Sequence, residues 1–123
     1  MSVIRLADAR RTETPNATMT TCASPTQGGT GLSVWRVDMP PARVGPRHAM
    51  DTEQVWTLLT GSATVELAAG ELSLGAGDTL VLPADAPRRI RTDDGFTAVV
   101  ASPAPSLAVN LETGDRVAPS WIV

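Results

Sequence analysis

Short stretches of alternating apolar and polar residues, separated by glycine and proline, restrict the fold of this chain more than any other feature. The 123 residues include 10 glycines and 10 prolines. The clearest alternating stretch is Ser33–Met39, in which Trp35, Val37 and Met39 lie on one side. A helical period is hard to find, and alternation with a period of two is typical of strands. The sequence therefore predicts an all-β chain.

About nine short strands are predicted. Gly61 and Ser62 predict a hairpin turn between two of them, residues 53–60 and 63–67. Residues 40–46, PPARVGP, predict a loop that leads to His48, because proline does not fit a central strand. Many short strands between turns are typical of a sandwich or barrel. The strands are 17–22, 33–39, 53–60, 63–67, 71–74, 79–82, 88–91, 96–102 and 107–110.

Composition excludes several classes of function. The net charge is −3 and the arginines are scattered, so we expect no nucleic-acid partner. The chain contains no lysine, which excludes Schiff-base chemistry, and no tyrosine, which removes the phenolic acid or base. Its single cysteine, Cys22, permits no intramolecular disulfide. No apolar run is long enough for a secretory signal or a membrane span, so we expect a cytoplasmic protein without a membrane partner.

Two stretches of the chain carry the strongest motif signal. His48 begins the first, HAMDTEQVWTLLTG, which ends at Gly61, and Gly77 begins the second, GDTLVLPADAPR, which ends at Arg88. They resemble the two motifs of the cupin superfamily, and their close spacing resembles that of small single-domain bacterial cupins. The resemblance implies an antiparallel jelly-roll barrel, the double-stranded β-helix, formed as a single domain by residues 1–123.

The same comparison implies a degenerate metal site. His48 stands at the first histidine of the family's motif, but Met50, Gln54 and Arg88 stand where the other metal ligands would be. An amide is a weak ligand, a thioether suits only soft metals, and a guanidinium repels a divalent cation. We therefore expect no metal and no other cofactor.

The resemblance places these side chains at the mouth of the barrel. If Gln54 faces inward, strand alternation turns Trp56 inward as well. We therefore predict a ligand-binding pocket formed by His48, Met50, Gln54, Trp56 and Arg88, with His48 as the candidate catalytic residue.

Two of these residues have a structural alternative. His48 is either a hydrogen-bonded loop histidine or a ligand contact, unless it holds a metal together with water. A buried Arg88 needs an anionic partner. That partner is either a ligand or one of the carboxylates of Asp51, Glu53 and Asp85.

Three functions follow from this site. The first is a metal-free cupin that binds a small organic molecule, anionic or carbonyl-bearing, in the barrel. The second is a metal-independent isomerase, epimerase or cyclase with His48 as general base, oriented by Asp51, and Arg88 stabilising an enolate. The third is a metal-dependent cupin dioxygenase, for which the chain supplies one of the four expected ligands.

The ends of the chain predict association. The apolar segment Trp121–Val123 would be unfavourable in water, so we expect it to pack against the barrel or a second subunit. Small cupins frequently exchange an N-terminal strand, which also protects a sheet edge. We therefore expect a homodimer in which residues 1–31 are the segment available for exchange.

Overall fold

A computed structural model describes all residues, 1–123, and confirms an all-β chain. Its only helices are two short 3-10 helices, Leu6–Asp8 and Ser120–Ile122, and no helix is long and apolar enough to cross a membrane. The strands are β1 Arg11–Glu13, β2 Thr18–Ala23, β3 Leu32–Met39, β4 Arg43–Val44, β5 His48–Met50, β6 Gln54–Leu67, β7 Gly70–Gly75, β8 Thr79–Leu82, β9 Arg88–Thr92, β10 Phe96–Pro103, β11 Ala108–Asn110 and β12 Arg116–Val117.

The strands form two curved antiparallel layers that share β6. One layer has the order β1-β2-β3-β10-β6-β8, and it uses the first half of β6. The other layer pairs the second half of β6 with β7 and β9, and β9 continues to β4 and to β5, β11 and β12. This arrangement is the jelly-roll barrel that the sequence predicted.

The predicted hairpin at Gly61 and Ser62 is wrong. The chain continues through both residues as one 14-residue strand, β6. Opposite β10, Thr97 pairs with Thr60 and Ala98 pairs with Leu58, so the register shifts at a bulge just before Gly61. Gly61 has φ +78°, and a Cβ there would collide with the Gly95 carbonyl oxygen. Glycine at this position bends the strand from one layer into the other, as bulges at barrel corners do.

The predicted loop 40–46 is also partly wrong, because it contains the short strand β4. The next segment, His48–Met50, forms β5, a strand that was not among the predicted ones. Both pair with β9, in the registers Arg43 with Thr92 and His48 with Arg88. Two- and three-residue strands carry too little alternation to be recognised from sequence.

The core fills the space between the layers. Trp35, Val37 and Met39 share one side of β3, as predicted, and the structure turns that side inward, with each residue at most 7% exposed. Their partners on β10 are Val100, Ala98 and Phe96, so three rows of apolar contacts run across the central strands. On β6, Trp56 extends the row of Trp35 and Val100, and Gln54 lies beyond it at the start of the strand.

The C-terminal end of the chain packs on its own barrel. Ile122 is 3% exposed and belongs to the core. Its carbonyl oxygen accepts a 2.6 Å hydrogen bond from Ser33 Oγ, and the Trp121 carbonyl accepts one of 2.6 Å from Thr21 Oγ1. The sequence predicted that the apolar tail packs against either the barrel or a second subunit, and in the structure it packs against the barrel.

At the other end of the chain, β1 lies at the edge of its layer, beside β2.

Candidate functional site

The five predicted site residues lie on three neighbouring strand segments of the barrel. His48 and Met50 belong to β5, Gln54 and Trp56 begin β6, and Arg88 begins β9. His48 and Arg88 are direct cross-strand partners, so their side chains are on the same face. Met50 follows on that face, two residues along β5, and is 3% exposed.

Gln54 joins two of the predicted residues. Its amide oxygen accepts a 3.0 Å hydrogen bond from Trp56 Nε1 and a 3.2 Å bond from Arg88 Nη1. An amide oxygen has two lone pairs, and both are occupied here. The side chain therefore offers a ligand its amide nitrogen, which is a donor.

Arg88 is the most informative residue of the site. It is 1% exposed, and its Nε donates a 2.9 Å bond to the Ala86 carbonyl. Its Nη2 is buried without any partner, and the guanidinium forms no ion pair with Asp51, Glu53 or Asp85. The alternative that gave Arg88 a carboxylate partner within the chain is therefore wrong. Burial lowers the pKa of Arg88 to about 10, so it remains cationic at neutral pH.

Asp51 has a structural role elsewhere. Its Oδ1 accepts a 2.6 Å bond from the Leu107 backbone N–H and a 3.3 Å bond from Ser106 Oγ. The strand β11 begins directly after this contact. The hypothesis that Asp51 orients His48 is consequently wrong, because the carboxylate anchors the chain that leads into β11.

A backbone carbonyl orients His48 instead. Nδ1 lies 3.0 Å from the Pro46 carbonyl oxygen, which only accepts, so Nδ1 carries the proton. In the neutral ring, Nε2 is then the basic nitrogen. Burial lowers the pKa of His48; the bond to Pro46 opposes that shift, and the nearby charge of Arg88 adds to it. The neutral, basic form is thus favoured.

The residues at this site do not fit a divalent metal ion. No group of three or more His, Cys, Asp and Glu side chains lies close enough together to hold one. The Gln54 oxygen is already used by two donors, and the Arg88 cation stands beside His48. Coulomb repulsion from that cation acts against any second cation.

Two clefts of about 190 Å³ and 450 Å³ lie elsewhere on the barrel, and neither is lined by the five predicted residues. Met50, Gln54 and Arg88 are all less than 5% exposed, so their side chains pack closely. The sequence could not reveal the backbone carbonyls of Pro46 and Ala86 as partners, because any residue supplies that acceptor.

Comparison with known proteins agrees with this architecture. Residues 35–102 match the family model described as the cupin domain, which is more than half of the chain. The chain therefore belongs to the cupin family. A comparison with curated proteins found no match.

Two similar solved structures illustrate the fold. The polyketide cyclase RemF from Streptomyces resistomycificus superposes with a TM-score of 0.76 at 18% identity, covering 90% of this chain and 85% of that one. Oxalate decarboxylase from Bacillus subtilis, a protein with Mn(II) centres, superposes with a TM-score of 0.70 at 15% identity. That match covers 80% of this chain and 28% of the decarboxylase chain. At these identities the likeness establishes the fold alone.

Proposed function

We propose that this chain is a metal-free cupin that binds a small organic molecule, anionic or carbonyl-bearing, at one end of the barrel. Arg88, His48 and Gln54 are its polar contacts, and Met50 and Trp56 are its apolar ones. The observation that carries the proposal is the buried Arg88 guanidinium, which has a free Nη2 donor and no carboxylate partner.

A buried cation without a counter-ion is unfavourable by several kcal/mol. An anionic ligand relieves this, because a carboxylate or enolate accepts a charge-assisted hydrogen bond from Nη2. The amide nitrogen of Gln54 and Nε2 of His48 are further polar groups on the same side. Because Arg88 is 1% exposed, binding requires the side chains at the barrel end to separate.

Thermal unfolding and tryptophan fluorescence of protein purified without added metal test the proposal. We would titrate it with benzoate, malonate and acetylacetone, which represent a monocarboxylate, a dicarboxylate and an enolisable diketone. We expect at least one class to raise the melting temperature saturably, and Arg88→Met to require about tenfold or more ligand for the same effect. Equal responses of the Arg88→Met and wild-type proteins would contradict the proposal.

A second candidate function is a metal-independent cyclase or isomerase with His48 as the base. The specific observation that favours it is the bond from Nδ1 to Pro46, which leaves Nε2 basic in a ring whose pKa burial lowers. Nε2 would take a proton next to a carbonyl, and the Arg88 cation would stabilise the enolate. The likeness to a polyketide cyclase is compatible with this chemistry.

Proton exchange distinguishes an enzyme from a binding protein. We would incubate a bound carbonyl compound in D2O and follow loss of its α-proton signal by NMR. Catalysed exchange that disappears in His48→Gln, while binding persists, supports the enzyme. Exchange at the same rate in both proteins excludes His48 as the base.

We also propose a cytoplasmic homodimer in which the edge strand β1 and the rest of residues 1–31 contact or exchange with the partner. The free edge of β1 supports this, since an unpaired edge is a template for another strand. Light scattering at micromolar concentration tests it, and a monomeric mass would remove the dimer but not the fold.

A further inference from the structure

A small cleft of about 190 Å³ opens on the outer side of the barrel wall, behind the buried site. Arg88 points into the barrel, and the next residue, Arg89, points outward because neighbours on a strand face opposite ways. The guanidinium groups of Arg88 and Arg89 therefore lie on opposite sides of the barrel wall. The cleft is lined by Arg47, Glu66, Leu67, Ala68, Pro87 and Arg89.

Arg89 is a cation without a partner in this cleft. Its Nε is buried and has no hydrogen-bond partner, and its guanidinium forms no ion pair. This holds although Glu66 is its cross-strand neighbour. By contrast Arg91, two residues along the same face of β9, binds both carboxylate oxygens of Glu71 at 2.9 Å. On the outer face of β9, Arg91 is therefore paired with a carboxylate and Arg89 is not.

The local charge balance in the cleft is positive. Arg47 adds a second guanidinium that forms no ion pair. The one carboxylate of the lining, Glu66, lies 3.9 Å from Arg91 Nε, and its side chain is 37% exposed. Two arginines consequently face the cleft with one carboxylate, and that carboxylate is directed toward a third arginine.

We propose that this cleft is a binding site for a small oxyanion, a phosphate or phosphomonoester, held by Arg89 and Arg47. Guanidinium groups bind phosphate and carboxylate through paired N–H donors, and the buried Nε of Arg89 is one such donor. The volume lies below the roughly 300 Å³ at which pockets for drug-sized ligands begin, so the group that enters is small. This inference does not depend on the proposed function of the barrel interior.

Titration with inorganic phosphate at low ionic strength, followed by calorimetry and by the arginine Nε–H resonances in NMR, tests the site. We expect saturable binding with a stoichiometry of one and a shift of the Arg89 Nε–H resonance. Arg89→Gln and Arg47→Gln should each weaken binding about tenfold, the order expected for loss of a charge-assisted contact. Glu66→Gln should strengthen binding, because it removes a like charge from the cleft.

Three further variants distinguish specific binding of phosphate in this cleft from nonspecific attraction of phosphate to the arginines of the surface. Arg89→Lys keeps the charge but removes the Nε–H donor, and it should weaken binding. Arg116→Gln, an exposed arginine on β12 outside the cleft, should change binding less than twofold. Arg36→Gln, an exposed arginine on β3 outside the cleft, should likewise change binding less than twofold. Non-saturable binding, equal losses in Arg89→Gln and Arg116→Gln, or equal losses in Arg89→Gln and Arg36→Gln would overturn the proposal.

Discussion

Replacing Arg88 with methionine tests the central reasoning, because the change removes the guanidinium and retains most of the apolar stem. Burial lowers the pKa of Arg88 to about 10, which corresponds to a penalty of about 3 kcal/mol for the buried cation. The variant also loses two hydrogen bonds, to the Ala86 carbonyl and the Gln54 amide oxygen. Bonds from a charged donor contribute about 1.5 kcal/mol or more each. The terms nearly cancel, so we expect the free energy of unfolding to change by about 1 kcal/mol or less.

The melting temperature of Arg88→Met should accordingly stay within about 4 °C of wild type. A ligand carboxylate should lose about tenfold or more in affinity, measured by titration on the same samples. Arg36→Met is the matched control: its pair with Asp38 is exposed on the outer face, and such pairs contribute at most about 1 kcal/mol. A loss of about 3 kcal/mol or more in Arg88→Met would refute the reasoning, since it would indicate a stranded carboxylate partner.

Three other predictions follow from the site and the fold. Because the folded-state pKa of His48 lies below its unfolded value, the unfolded chain binds more protons, and stability should fall as pH drops through the unfolded pKa near 6.5. Urea titrations should find this slope reduced in His48→Gln, and an unchanged slope would contradict it. Gly61→Ala should lower the free energy of unfolding by about 3 kcal/mol or more, because the new Cβ collides with Gly95 and the backbone is strained at φ +78°. Gly77→Ala, the control, has backbone strain alone and should lower it less. Equal melting temperatures of the two variants would contradict this prediction. Purified wild type should hold no stoichiometric iron, manganese, nickel or zinc by metal analysis, and zinc affinity should arise when the family's ligands are restored. The restoring changes are Met50→His, Gln54→Glu and Arg88→His.

Alternation and turn residues were enough to predict the all-β class, and the two motif stretches were enough to predict the jelly-roll barrel. The apolar residues of β3 were placed correctly on one side because a period of two maps directly onto the two faces of a strand. Gly61 shows the limit of such reasoning. A glycine between two alternating runs predicts either a hairpin or a bulge, and the choice depends on which strands lie alongside.

For the candidate site, the sequence predicted which residues take part but not the contacts that they make. The sequence identified His48, Gln54 and Arg88 as inner groups, because their positions follow from the motif spacing. It left the partner of Arg88 open between a ligand and three carboxylates of the chain, and in place of those carboxylates the structure gives it Gln54 and the Ala86 carbonyl. The Gln54 contact joins strands far apart in sequence and the Ala86 contact depends on the local turn of the backbone, and hydrogen bonds of both kinds depend on distances of a few tenths of an ångström.

The sequence by itself determined the all-β class, the resemblance to the two cupin motifs and the absence of the usual metal-ligand side chains. These features depend on residue type and local spacing. Only the tertiary structure decided that Asp51 anchors the approach to β11, that Pro46 orients His48, and that Arg88 and Arg89 face opposite sides of one wall. The Asp51 contact joins segments far apart in the chain, the Pro46 contact depends on the backbone conformation just before β5, and the orientation of Arg88 and Arg89 is a choice of face. Such features arise when strands pair in register and bury one face, which no local pattern encodes completely.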